Sequence, residues 1–231
     1  MTTDPDPDPG PGRRRGPRTD LDVRARLVAV AERMFGEQGL DPVSARAVAR
    51  EAGVAPGALA YHFPAGKTAL VAAVIDRRMT LVGADMSRHL SALLERDGEV
   101  TPRELIEAVL MPAVALIQAD PVGGLRWMRI IARLQLAEDP SWAAAVNGGP
   151  RLDELLAAVS ARVLPERDRH EVGSRVGIAV FSVLALLVSP EQVGGTRGAA
   201  GAGLDPGFVE RLADFAAAGI EGSWAAAGRR P

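Results

Sequence analysis

Arg46, Tyr61, His62 and Lys67 place a guanidinium, a phenol, an imidazole and an ammonium within one short stretch of this 231-residue chain. All four donate hydrogen bonds, the chemistry that suits phosphate oxygens and the acceptor atoms on base edges. Arg46 is the best candidate for a bidentate contact, to guanine or to a phosphate, because its planar fork matches either. Tyr61 and His62 are assigned to phosphates, with packing within its own domain as the alternative for Tyr61, and Lys67 is assigned to a further phosphate. Gly57 would let the backbone come close to a partner, and Ala58 would offer a methyl group to a thymine.

Catalytic chemistry is harder to assemble. His62, His89 and His170 are the three histidines, and none has HExxH or similar spacing. No GxSxG, P-loop or GxGxxG stands between a strand and a helix. The carboxylate pairs Glu138-Asp139 and Asp153-Glu154 adjoin expected helix ends, where they complement the dipole or cap. With no cysteine there is neither a disulfide nor a thiolate metal site. The expectation is no catalytic residue, no metal and no cofactor.

The elements that must hold the four donors are short helices. Val23, Leu27, Val30, Ala31, Met34 and Phe35 recur on one face of a first helix, with Arg24, Arg26, Glu32 and Arg33 on the other. Gly36 to Asp41 closes it, with Gly39 as a left-handed stop. Ser44 is an N-cap for a second helix, Ala45 to Ala52, whose inward residues are Val48, Ala49 and Ala52. Gly53-Val54 makes a turn, and Pro56 suits the first turn of a third helix anchored by Leu59 and Phe63. The outer face of that third helix carries Gly57, Ala58, Ala60, Tyr61 and His62, the face that a helix-turn-helix lays in a major groove, and Pro56 at its start is counted with the DNA-binding residues.

The runs F-x-E-x-G-L (from Phe35), A-x-A-x-E-A-G-V (ending at Val54) and G-A-L-A-Y-H-F-P-x-G-K (Gly57 to Lys67) make this stretch similar to the N-terminal domain of the TetR family of bacterial transcriptional repressors. The chain departs from that family at Pro56, where Lys or a polar residue is common, at Ala58, where Thr is, and at Ala60, where Tyr is. It also carries one extra residue between Phe63 and Lys67. The resemblance implies an all-α fold: an N-terminal three-helix helix-turn-helix domain, then a larger helical ligand-binding and dimerisation domain, about nine helices in total.

Charge distribution agrees with a nucleic-acid partner although the net charge is −2. Residues 13–78 carry twelve Lys and Arg against seven Asp and Glu, a net +5, while residues 79–231 carry a net −4. Residues 1–20 read as a disordered tail of alternating Asp and Pro followed by Arg13, Arg14, Arg15 and Arg18. Those arginines serve either as a minor-groove or phosphate-contacting arm or as a solubilising tail. The domain reading is therefore tail 1–20, helix-turn-helix 21–66, helical ligand and dimer domain 67–227, and C-terminal tail 228–231.

Beyond Lys67 the pattern lengthens into a linking helix to about Glu95, apolar through Leu70, Val71, Val74, Ile75, Met79, Leu81, Val82 and Met86. A helix from Thr101-Pro102 to Ala119 follows, with a kink expected at Pro112. Further helices span about 122–137, 151–163, 167–188 and 208–224, with loops at 147–150 and 194–203. The apolar run 176–188 is too short to span a bilayer, and residues 1–18 lack the apolar region of a signal peptide, so no membrane partner and a cytoplasmic location are expected.

The resemblance implies a homodimer through the last two helices, a palindromic double-stranded DNA operator and a small-molecule effector. Met111, Gln118, Trp127, Met128, Ile131, Leu134 and Phe181 are candidate pocket residues, with core filling as the alternative. Arg126, Arg129, Arg133 and Gln135 are candidate polar anchors, which together favour a hydrophobic or aromatic effector with an anionic end. The function expected is a ligand-released repressor. The alternatives are a ligand-independent regulator or activator, or a small helical enzyme.

Overall fold

A computed structural model describes residues 17–137, 151–189 and 203–222, and among these it has nine α-helices and no strand. The first three make the N-terminal unit: α1 (Pro17–Gln38), α2 (Ala45–Glu51) and α3 (Pro56–His62). Leu27, Ala31, Met34 and Phe35 of α1 bury against Val48 and Ala49 of α2, Leu59 of α3 and Phe63. Each of the larger side chains contributes about 1.5–3 kcal/mol on leaving water, and each alanine methyl less than about 1 kcal/mol. Local signals set the breaks. Gly39 stops α1 at φ 94°, and the Ser44 side chain accepts from the Ala47 N–H at 3.1 Å to start α2. Gly53, at φ 62°, turns the chain towards α3, which opens on Pro56.

Three sequence expectations change here. α1 begins at Pro17, so four residues assigned to the tail are helical. Gly36 lies inside α1 rather than in the closing turn; a Cβ there would stand 2.7 Å from Arg126 Cβ, so the glycine permits a close crossing of two helices. Glu32, assigned to the polar face, is only 4% exposed because Arg77 and Arg78 reach it from the linking helix at 3.3 and 2.7 Å. The Asp-Pro repeat with Arg13–Arg15, the loop at 147–150, most of the loop at 194–203 and the C-terminal tail lie outside the described residues.

α4 (Lys67–Glu95) links the units and leaves α3 at 62°. The extra residue before Lys67 is absorbed in a turn in which the Gly66 N–H bonds to the Phe63 carbonyl at 2.9 Å, with Gly66 at φ 63°. Leu70, Val71, Val74 and Ile75 are buried, but Leu81, expected on the apolar side of α4, is 68% exposed. The far end of α4 is tied down by Arg162, whose guanidinium donates to the carbonyls of Leu93, Leu94, Arg96 and Gly98 at 2.7–2.8 Å.

The remaining helices are α5 (Pro102–Ala119), α6 (Pro121–Leu136), α7 (Leu152–Val163), α8 (Arg169–Leu187) and α9 (Pro206–Glu221). α5 opens on a capping box between Thr101 and Glu104 and runs unbroken through the buried Pro112. α9 packs on both α5 and α8. Arg175 of α8, 1% exposed, holds it there by donating to the Ile220 carbonyl at 2.8 Å and to the Gly222 carbonyl. The helix that carries the 176–188 apolar run has 19 residues, long and apolar enough by length and composition to cross a membrane. Here it packs against α5, α6, α7 and α9. One buried core runs from Leu27 on α1 to Ile220 on α9.

Candidate nucleic-acid interface and internal cavity

The outer surface of α2 and α3 is built of groups their own fold does not use. Arg46 is exposed and makes no hydrogen bond or ion pair among the described residues. Arg50, one turn on and on the same face, is also exposed and unpaired among them. Tyr61 is 73% exposed and sets its ring edge to face on half-buried His62, with centroids 5.0 Å apart at 77°. Pro56, Gly57 and Ala60 are exposed and Ala58 is half-buried. At the start of α4, Lys67 Nζ lies 3.4 Å from the Asp41 carbonyl. Arg24 of α1 sits 5.3 Å over the Phe63 ring, which holds a cation beside the end of α3. The surface can therefore offer guanidinium, phenol and ammonium donors together with a nearly featureless backbone at Gly57 and Ala58.

The other functional space is a cavity of about 270 Å³ lined by five helices and open on one side. α4 supplies Met79, Val82, Met86 and Leu90; α5 supplies Val109 and Ala113; α6 supplies Trp127, Met128, Ile131 and Gln135. α7 adds Leu152, Asp153 and Leu156, and α8 adds Val180 and Leu184. The Trp127 indole N–H is already engaged by the Val74 and Ile75 carbonyls at 3.1 and 3.3 Å, so its ring meets the cavity as an apolar wall.

The same helices join cavity to interface. Arg133 of α6 donates to the Phe35 and Gly36 carbonyls at 2.9 and 3.3 Å, capping the end of α1, and Arg126 pairs with Glu37. Arg78, the neighbour of Met79, bridges Glu32 of α1 and Asp120 at the head of α6, both at 2.7 Å. Burial alone would lower the Arg78 pKa; its hydrogen bonds to the two carboxylates outweigh that and raise it. The bond from Arg78, aided by the Gly123 N–H, lowers the pKa of Asp120.

Residues 27–74 match the family model for bacterial regulatory proteins of the tetR family, and residues 107–219 match the tetracyclin repressor-like C-terminal domain. The chain belongs to the TetR family. The family and the relatives it matches are transcriptional regulators, not enzymes. The HTH-type transcriptional regulator BetI of Brucella anthropi is 32% identical over 116 residues, 50% of this chain and 56% of that protein. The chain thus spans about half the length of the curated relatives it matches. Among solved structures, a TetR-like regulator from Rhodococcus sp. RHA1 has a TM-score of 0.56 at 18% identity, covering 86% of this chain and 93% of its own. AmtR of Mycobacterium smegmatis has a TM-score of 0.56 at 19% identity, covering 92% and 91%. Those two likenesses speak for the fold alone.

For this TetR-family chain, the fold gathers Arg46, Pro56, Gly57, Tyr61 and Lys67 at one end of the molecule, with Ala58 and His62 partly withdrawn. Of the cavity candidates, Trp127, Met128, Ile131 and Gln135 stand at the wall. Met111, Gln118 and Phe181 do not. Met111 and Gln118 lie on the side of α5 opposite Val109 and Ala113, Met111 is 43% exposed, and Phe181 is 44% exposed. Leu134 is buried elsewhere in the core. Arg126 and Arg133 are turned to α1, and Arg129 is outside the cavity wall, so the expected anionic end of the ligand loses its anchor. Sequence reading missed Arg50, which its i, i+4 relation to Arg46 signals. It also missed the α4 wall, where Met79 and Met86 repeat at one helical face.

Proposed function

We propose that this chain is a homodimeric transcriptional repressor that binds a palindromic double-stranded operator and is released by a small lipophilic molecule. What supports it is the coexistence, on one continuous core, of an exposed Arg46–Tyr61 surface on α2 and α3 and an apolar cavity on the far side of α4, the helix that follows α3. Arg46 and Arg50 contact bases or phosphates, Tyr61 and His62 donate to phosphates, and Lys67 holds the phosphate nearest α4. Pro56, Gly57 and Ala58 let the α3 backbone lie close to the groove floor. The +5 charge of residues 13–78 adds the sequence-independent attraction.

The dimer face is on α8 and α9. Ile178, Phe181 and Phe215 are exposed at 54%, 44% and 70%, beside Gly173, Gly177 and Gly219, whose Cβ positions face open space on this protomer. Large apolar side chains set among small ones are what two helix pairs need to close on each other. Two-fold symmetry then sets the recognition helices about one DNA turn apart, roughly 34 Å.

Release follows from α4. Met79 stands about 18 Å along the axis from Lys67, so a ligand that displaces the cavity wall tilts the end that holds α3. A ligand shifts this equilibrium only by its differential affinity for the two shapes. Such a repressor acts in the cytoplasm, over a promoter. Selection of genomic fragments by the purified protein tests the reading: enrichment of a short palindrome supports it, and enrichment of nothing above background contradicts it.

A further inference from the structure

We propose that the cavity selects neutral or singly cationic lipophiles and rejects carboxylates, with Gln135 and Asp153 receiving the polar end of the ligand. The inference rests on the reading of the cavity as the effector site. It begins from what the wall lacks. Among the described residues that line it, Gln135 and Asp153 carry the uncommitted polar groups, and the one ionisable group is an acid. The Trp127 N–H is spent on two backbone carbonyls. A carboxylate leaving water needs a cation or several donors to replace its hydration, and an acid beside a single amide cannot provide them.

The nearby cations are committed elsewhere. Arg126 pairs with Glu37, Arg133 caps the end of α1, and Arg151, next to the cavity rim, pairs with Glu154. Arg162 is bound to the end of α4. Residues 138–150, which join α6 to α7, include Glu138 and Asp139 and no Lys, Arg or His, so this connection brings no cation. The two polar groups stand at helix ends of the lining: Gln135 is in the last turn of α6 and Asp153 in the first turn of α7. Away from them, Met79, Met86, Met128 and the Trp127 ring make a soft wall that adapts to varied apolar shapes and, at the indole face, tolerates positive charge.

The test uses three probes with the same chain and different heads: decyltrimethylammonium, 1-decanol and decanoate, titrated by calorimetry and thermal shift into the full-length protein. Decyltrimethylammonium and decanol are expected to bind, with decanoate about tenfold or more weaker. Asp153→Asn, at an exposed position that the core does not need, is expected to weaken decyltrimethylammonium about fivefold relative to decanol. Leu156→Trp at the half-buried rim is expected to block all binding. Decanoate binding as tightly as the other two, with Leu156→Trp still blocking, would overturn the charge selection and leave the effector site standing. Failure of all three probes to bind, or binding untouched by Leu156→Trp, would overturn the effector-site reading itself and this inference with it.

Discussion

Arg46 is held at the surface by its helix alone, since no group of the described protein competes for its guanidinium. That freedom is its use: a planar fork with no internal partner gives up no protein contact when it meets a guanine edge or a phosphate, and its rigid shape limits the entropy lost per hydrogen bond. Arg46→Ala is expected to cost about 1–3 kcal/mol of operator binding and to relax preference at one base pair. Binding measured across a set of single-base operator variants checks this, and a uniform loss over all of them would make Arg46 a phosphate contact. Glu32 is the opposite kind of residue. At 4% exposure it is met by Arg78 and Arg77 from α4, so removing a partner leaves a buried carboxyl group short of a hydrogen-bond donor. Arg78→Ala is expected to destabilise the fold by about 3–5 kcal/mol, towards the lower end because Arg77 remains. Denaturant unfolding reads the loss, and a change below about 1 kcal/mol would mean that Glu32 is not held by this pair. The sequence near Glu32 announces none of this, because its partners stand some forty-five residues away on α4. Arg46 was legible because exposure on a short helix follows from local pattern.

At the scale of elements, what could be read in advance is what is decided within a turn or two. The α2 start at Ser44, the α1 stop at Gly39 and the α5 start at Thr101-Pro102 all depend on neighbours in the chain, and the structure adds Glu104 as the second half of a capping box there. The cavity depends instead on the rotational phase of five helices, which is why Trp127, Met128 and Ile131 fell at its wall while Met111, Gln118 and Phe181 fell elsewhere. The capping box also has a consequence in solution. The Arg96 guanidinium, followed by the Thr101 N–H, holds the Glu104 pKa at about 2 against an ordinary 4.5. A carboxyl with a depressed folded pKa contributes its stabilisation above the ordinary value and loses it as pH falls towards the folded one. Glu104→Gln is therefore expected to lower Tm near neutrality, and the gap from the parent protein should close between about pH 5 and about pH 2. Thermal unfolding at a series of pH values checks this, and a gap that stayed constant through the window would contradict it.

The whole molecule joins a basic end, proposed to meet DNA, to an acidic body that holds a cavity and presents an apolar face. α4 and α6 belong to both ends, through Met79 and Trp127 at the cavity and through Arg78 and Arg133 at α1. The all-α architecture was legible from helical periodicity and motif spacing. The assembly was legible only as family resemblance, since one chain's sequence does not say which apolar residues remain outside its own core. Phe215, at 70% exposure, marks the apolar surface proposed for the dimer. Phe215→Asp is expected to give monomers by light scattering and to weaken operator binding about a hundredfold, because each half-site then binds alone. An unchanged mass would move the dimer contact elsewhere. The measurement that tests the central claim most directly is a hydroxyl-radical footprint of a selected genomic site, with the parent protein and with Arg46→Ala. Two symmetric protected patches about one turn apart on one face of the duplex, both weakened by Arg46→Ala, are the expected result. A single patch, or protection that ignores Arg46, would contradict a dimeric reader built on α2 and α3.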